Sequence, residues 1–187
     1  PMAGVQGSRL ALAVSAAGGL GSLPAAMRTH DKLRQELTLL AATGKPYNVN
    51  FFCHKAPAVE EPQLEKWFRT LRPYYDELKI DVNARPHVGA RRPFDDETLQ
   101  LLQEFEPPVV SFHFGLPAPG HVEAIKAWGA RVISTATTVR ESVWLEQHGV
   151  DAVIAQGLEA GGHRGMFLED DINSQSGTFA LLPQVCH

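Results

Sequence analysis

The sequence predicts an α/β fold of parallel strands. Short runs rich in β-branched and aromatic residues alternate with segments of helical spacing. Two successive units also share one layout: a helix, a glycine, two or three residues and then a Val-Ile strand. Connections this short define βα repeats, whose parallel strands are buried by the helices that join them.

Taken in order, "PMAGV" at the start reads as the end of a strand. "SRLALAVSAAGGLGSL" reads as a short helix running through glycines into a second strand near Leu20–Leu23. "YNVNFF" (47–52) is the next strand. Residues 53–108 are rich in proline and charge and hold two helices. In the first, Trp67, Phe68, Leu71, Tyr74, Tyr75 and Leu78 recur at helical spacing and read as core packing, although Pro73 should kink or divide it. The second, "DDETLQLLQEFE", carries Leu99, Leu102 and Phe105 on one face and acids at its positive end. Then come the strands "VVSFHFG" (109–115), "RVISTAT" (131–137) and "DAVIAQG" (151–157). "HVEAIKAWG" and "TVRESVWLEQHG" lie between them, with Gly129 and Gly149 where C-terminal caps belong. "GTFALLPQVCH" closes the chain as a helix.

That makes about six strands. An open doubly wound sheet could be built from them, whereas a (β/α)8 barrel needs eight strands and typically about 250 residues. As a barrel, the 187 residues would be a single domain, 1–187, incomplete at both ends and covering about the first six βα units.

Composition narrows the function classes. The chain is 44% hydrophobic and 20% charged, an ordinary globular balance, and its net charge of −4 offers no basic field for nucleic acid. No apolar run reaches membrane-spanning length and no signal-like segment precedes the first motif, so no membrane partner is expected. Cys53 and Cys186 lie far apart in sequence, which suits free thiols and a cytoplasmic setting. No pair of histidines has metal-ligand spacing with a supporting carboxylate or thiolate, and no metal is expected. His30, His54, His87, His121, His148 and His187 read as solvated residues of loops and helix ends. There is no G-x-S-x-G elbow, P-loop or G-x-G-x-x-G fingerprint.

Strand alternation locates the polar chemistry. In "YNVNFF", Asn48 and Asn50 share one face and Val49 and Phe51 the other; in "VVSFHFG", Ser111 and His113 oppose Val110, Phe112 and Phe114. Gln156 reads as the last residue of its strand, on the face of Ala152 and Ile154. Asn50, His113 and Gln156 thus stand at or near three C-terminal strand ends, where parallel α/β proteins bind ligands. "AQGLEAGGHRG" (155–165) follows the last of them, and its glycines permit positive φ and close backbone approach to a ligand.

"PMAGV", "NVNFF", "VVSFHFG" and "AQGLEAGGHRG", in this order, together resemble the nitronate monooxygenase family, and "GGHRGMF" followed by "GTFALLPQV" is similar to its continuation. "HFG" paired with "EAGGHRG" resembles the first of the family's two classes. The resemblance implies a TIM barrel that binds FMN non-covalently and uses dioxygen to oxidise alkyl nitronates, such as propionate 3-nitronate, to a carbonyl product and nitrite. It implies a monomer or homodimer. Backbone at Met2, Ala3 and Gly4 would lie along the flavin ring, Asn50 and Gln156 would bond its polar edge, and Gly161 and Gly162 would let the loop approach it. His113 and His163 would line the substrate cavity as the catalytic pair. His113 is preferred as the base that neutral nitroalkanes require, because a strand end is a more rigid platform than a loop. The family's phosphate-binding loops follow its seventh and eighth strands, so the chain reads as a fragment without them. An NAD(P)H:quinone reductase or enoyl reductase on the same barrel, and a non-catalytic half-barrel, are the alternative readings.

Overall fold

The computed structural model describes residues 2–55, 60–81 and 92–187. They fall into two compact units, Pro1–His54 with Arg92–His187 and, separately, Lys55–Arg91.

In the larger unit, five strands form one sheet: β1 (Gly21–Pro24), β2 (Tyr47–Phe52), β3 (Val109–His113), β4 (Arg131–Ala136) and β5 (Ala152–Ala155). Every neighbouring pair is parallel, and the spatial order follows the chain, β1 to β5. A doubly wound sheet reverses its order at a switch point; this one does not. The fold is a partial (β/α)8 barrel.

Alternation divides the strands as expected. Leu23, Val49, Phe51, Val110, Phe112 and Val132 are buried against the helices. Their partners in this core include Leu33, Leu37 and Leu40 of α2 (His30–Ala41) and Leu101 and Leu102 of α4 (Asp96–Gln103). Val122 and Ile125 of α5 (Pro119–Ala127) complete it. The opposite face carries Asn48, Asn50, Phe52, Ser111 and His113, with Asn50 paired to Ser111 and Phe52 to His113 in register.

The helices start and stop for local reasons. Thr29, Asp95 and Thr138 accept backbone N–H bonds as N-caps of α2, α4 and α6 (Val139–Gln147). Gly129 and Gly149, just past α5 and α6, sit at φ +87° and +85°, as C-terminal caps require. α1 (Ser8–Ala16) and α7 (Thr178–Val185) complete this unit's α-helices among the described residues.

Three expectations need correction. The opening residues form no strand: Val5 and Gln6 both donate to the Met2 carbonyl, making a turn with Gly4 at φ +77°. The described strands therefore number five. In the smaller unit, α3 (Glu61–Glu77) runs through Pro73 as one helix and buries none of its residues, with Trp67 60% and Tyr74 61% exposed. Its aromatics are not core. His87 lies outside the described residues.

Candidate functional site

The C-terminal ends of β2 to β5 gather the polar and aromatic residues that the sequence singled out. His113 ends β3 with both ring nitrogens engaged: Nδ1 lies 3.1 Å from Thr135 Oγ1 and Nε2 lies 3.3 Å from the His163 carbonyl oxygen. A carbonyl only accepts, so Nε2 carries the proton and Nδ1 accepts from the Thr135 hydroxyl. Burial pushes the His113 pKa below the ordinary imidazole value; the bond to His163 opposes this and the nearby His163 ring adds to it. Burial and these two partners together favour a neutral imidazole protonated at Nε2.

Gln156, one residue beyond β5, continues the ladder by donating from its backbone N–H to the Ala136 carbonyl, 2.8 Å. Its side chain closes the glycine-rich loop on itself. Nε2 donates to the His163 carbonyl (2.9 Å) and Oε1 accepts from the Gly165 N–H (2.7 Å). Arg164 also turns inward, donating to the Gly157 and Ala160 carbonyls.

Asn50 belongs to a different network. It lies one tier below the mouth and donates from Nδ2 to Ser111 Oγ, 2.9 Å. The expected convergence therefore brings His113 and Gln156 together through the His163 carbonyl and leaves Asn50 beneath them. Asn48, on the same face, donates to Ser22 Oγ, while its buried Oδ1 has no partner among the described residues.

Phe52 and Phe114, which the sequence reading did not assign to the site, supply its apolar wall. The Phe52 ring centre lies 5.9 Å from that of His113, 5.5 Å from His163 and 5.2 Å from Phe114. Strand alternation carries Phe52 to the face of Asn48 and Asn50, a signal that was legible. Phe114 was expected opposite His113. The strand instead ends at His113, and Phe114 turns to φ +69° with Gly115 at +89°. This places its ring 4.5 Å from His113 and 5.9 Å from His163. His54 joins the cluster, 6.1 Å from Phe114, with a buried Nδ1 that has no partner among the described residues. It is not the solvated residue expected; neither is His121, only 17% exposed and bonded to Asp96. His163 contributes its ring to this cluster and makes no side-chain hydrogen bond among the described residues.

The glycines divide by role. A Cβ on Gly165 would lie 2.7 Å from Thr135 Cγ2 and 2.8 Å from His113 Cε1, and one on Gly157 would strike Thr178. Within the glycine-rich loop these two, not named as site residues from the sequence, make the close approaches to the rest of the chain. Gly161 and Gly162 face open space, with Gly162 at φ +79°. Met2, Ala3 and Gly4 form the opening turn, tied to β1 where Gln6 Nε2 donates to the Ser22 carbonyl.

Among the described residues, His30, Asp95 and Glu97 come close enough together to be metal ligands. The cluster lies on the outer helices, where Asp95 is the N-cap of α4. Cys53 and Cys186 are both free thiols, and burial pushes the Cys53 pKa well above the usual thiol range. No helix among the described residues is long and apolar enough to cross a membrane.

A partial barrel with an aromatic and histidine-lined site at its C-terminal strand ends has close counterparts among solved structures. Nitroalkane oxidase from Streptomyces ansochromogenes matches all of this chain and 53% of its own, at 36% identity and a TM-score of 0.85. FabK from Thermotoga maritima matches 98% of this chain and 44% of its own, at 27% identity and a TM-score of 0.65. The chain belongs to the nitronate monooxygenase family, whose model matches residues 1–187. Nitronate monooxygenases of Pseudomonas aeruginosa and Paraburkholderia phytofirmans are 41% and 39% identical to it over 97% of the chain. The chain spans about half of those relatives, 52% and 50%.

Proposed function

We propose that the protein containing this chain oxidises alkyl nitronates with FMN and dioxygen, giving a carbonyl product and nitrite. Family membership and the likeness to a nitroalkane oxidase support the reaction class. The observation that carries the reading is the His163 ring, free of hydrogen bonds among the described residues, standing on Phe52 and Phe114 at the strand ends.

The residues present suit a flavin ring. Asn48 Oδ1 and His54 Nδ1 are buried polar atoms without partners among the described residues, and the Cβ directions of Gly161 and Gly162 point into open space. Asn50, the remaining N–H of Gln156 Nε2 and the backbone of Met2, Ala3 and Gly4 offer neutral donors and acceptors. This set fits an uncharged heterocycle edge better than a phosphate. Bound there, the flavin accepts the electrons that the substrate loses.

The protein's share is binding and proton handling. A nitronate is an anion, and His163 is the imidazole placed to donate to its oxygens. For a neutral nitroalkane, His163 would instead take the α-proton at a free ring nitrogen. His113 was the preferred base from sequence, on the ground of rigidity. Its two nitrogens are occupied, so its assigned role is to hold the His163 backbone in place. Phe52 and Phe114 exclude water and strengthen each polar contact in the cavity.

The test is nitrite formation from propionate 3-nitronate by the purified full-length protein. A yellow protein that releases nitrite in air, and loses most of that activity as His163→Asn while keeping its colour, supports the reading. A colourless protein, or a yellow one releasing no nitrite, overturns it.

A further inference from the structure

The start of α6 carries a carboxylate that the proposed reaction does not use. Glu141 lies in the first turn of α6 and is only 2% exposed. The sequence Thr138-x-x-Glu141 has the form of a capping box, in which the glutamate would return to the N-cap backbone. Thr138 does cap Glu141, but the Glu141 carboxylate goes elsewhere. Oε2 accepts from the Thr137 backbone N–H (2.7 Å) and hydroxyl (2.8 Å). Oε1 accepts from the Phe167 N–H (2.7 Å) and the Leu168 N–H (3.2 Å). One buried group thus joins the end of β4 to the chain that follows the glycine-rich loop.

Both attachments lead to His113. Thr137 is two residues beyond Thr135, whose hydroxyl meets His113 Nδ1. Phe167 is two residues beyond Gly165, whose backbone lies against the His113 ring and whose N–H is held by Gln156. Gln156 in turn bonds the His163 carbonyl that accepts from His113 Nε2. We infer that Glu141 is a positioning residue: its carboxylate clasps the Thr137 and Phe167–Leu168 backbones together and so fixes the tautomer of His113 and the placement of His163. The carboxylate suits this task because it presents acceptors only, and all four of its partners are donors. A glutamine keeps the shape but turns an NH2 group toward one pair of donors, leaving them unmet in a buried place.

The consequence for turnover rests on the proposed nitronate reaction; the consequence for His113 does not. The test therefore has two readouts on the full-length protein. Imidazole 15N spectra of the parent should show His113 as one fixed tautomer, protonated at Nε2. In Glu141→Gln the two nitrogens should move toward tautomer-averaged shifts while the far-ultraviolet dichroism stays native. Nitronate-driven kcat should fall roughly 10- to 100-fold, as sub-ångström misplacement of reacting groups does, with a smaller change in KM. If the glutamine variant does not fold, Thr137→Val, which removes one of the four donors, should show the same spectral change in smaller degree. Folded Glu141→Gln with parent-like His113 signals overturns the inference; where that variant is unfolded, parent-like signals in Thr137→Val do so. If the parent itself shows no nitronate reaction, the proposed function fails and the tautomer comparison still decides the role of Glu141.

Discussion

Gly165 and His113 meet where no side chain fits: a Cβ on the glycine would stand 2.8 Å from His113 Cε1. The bareness at this point of the loop lets the chain pass over the imidazole whose Nε2 reaches back to the His163 carbonyl.

Gly165→Ala should therefore push His113 or Thr135 aside and cost about 1–3 kcal/mol of stability, the usual penalty of overpacking. Gly161→Ala, in open space and without a positive φ, should stay within about 0.5 kcal/mol of the parent. Urea unfolding of the two variants checks the contrast. Equal stabilities would mean that the contact does not set the course of the loop.

Phe114 holds a left-handed backbone, which costs an L-residue roughly 1–2 kcal/mol. Phe114→Gly should consequently be more stable than Phe114→Ala by about 1 kcal/mol, although it removes one carbon more. Both should expose the His113 and His163 rings to water. Denaturant midpoints test the order; the alanine variant being the more stable would show that the turn carries no strain.

Burial holds the His113 pKa below its ordinary value of about 6.5, so the unfolded chain takes up this proton first. The contribution is fully present above about 6.5 and is lost as pH falls from there through the lower folded value. Between pH 7 and 5 the parent should lose stability more steeply than His113→Asn. Glu36 and Asp151 act in a lower window. In each, burial is outweighed by hydrogen bonds and neighbouring cations, so their stabilisation is lost only as pH drops below about 4. Urea unfolding across this range measures both; equal slopes for parent and variant above pH 5 would remove His113 from the account.

How much of this was legible depended on whether a residue's environment is local. β2 runs over Tyr47–Phe52 as read, and β3 to β5 differ only by a residue or two at their ends, because the apolar face of each strand is written in its own alternation. Gly129 and Gly149 were readable as caps for the same reason. Phe114 defeated the alternation rule because a left-handed turn reversed its side. Gly165, and the Phe167–Leu168 half of Glu141's contacts, take their meaning from partners more than twenty residues away, which no local pattern announces. The α3 aromatics had the right spacing for a core, but helical periodicity does not say whether a partner surface is present. Asn50 was read on the correct face and near the strand end, and Phe52, two residues on, completes the strand as expected.

In the proposed function, the rings at these strand ends serve oxidation of a nitronate at a bound flavin. Anaerobic stopped-flow mixing of the full-length protein with propionate 3-nitronate, and separately with NADH and NADPH, tests it most directly. The account predicts rapid bleaching of the flavin absorbance by the nitronate and none by either nicotinamide, with His163→Asn slowing the nitronate reaction about 10- to 150-fold for the loss of one charge-assisted hydrogen bond. Bleaching by NADH or NADPH alone, or a nitronate reaction that His163→Asn leaves at the parent rate, would contradict it.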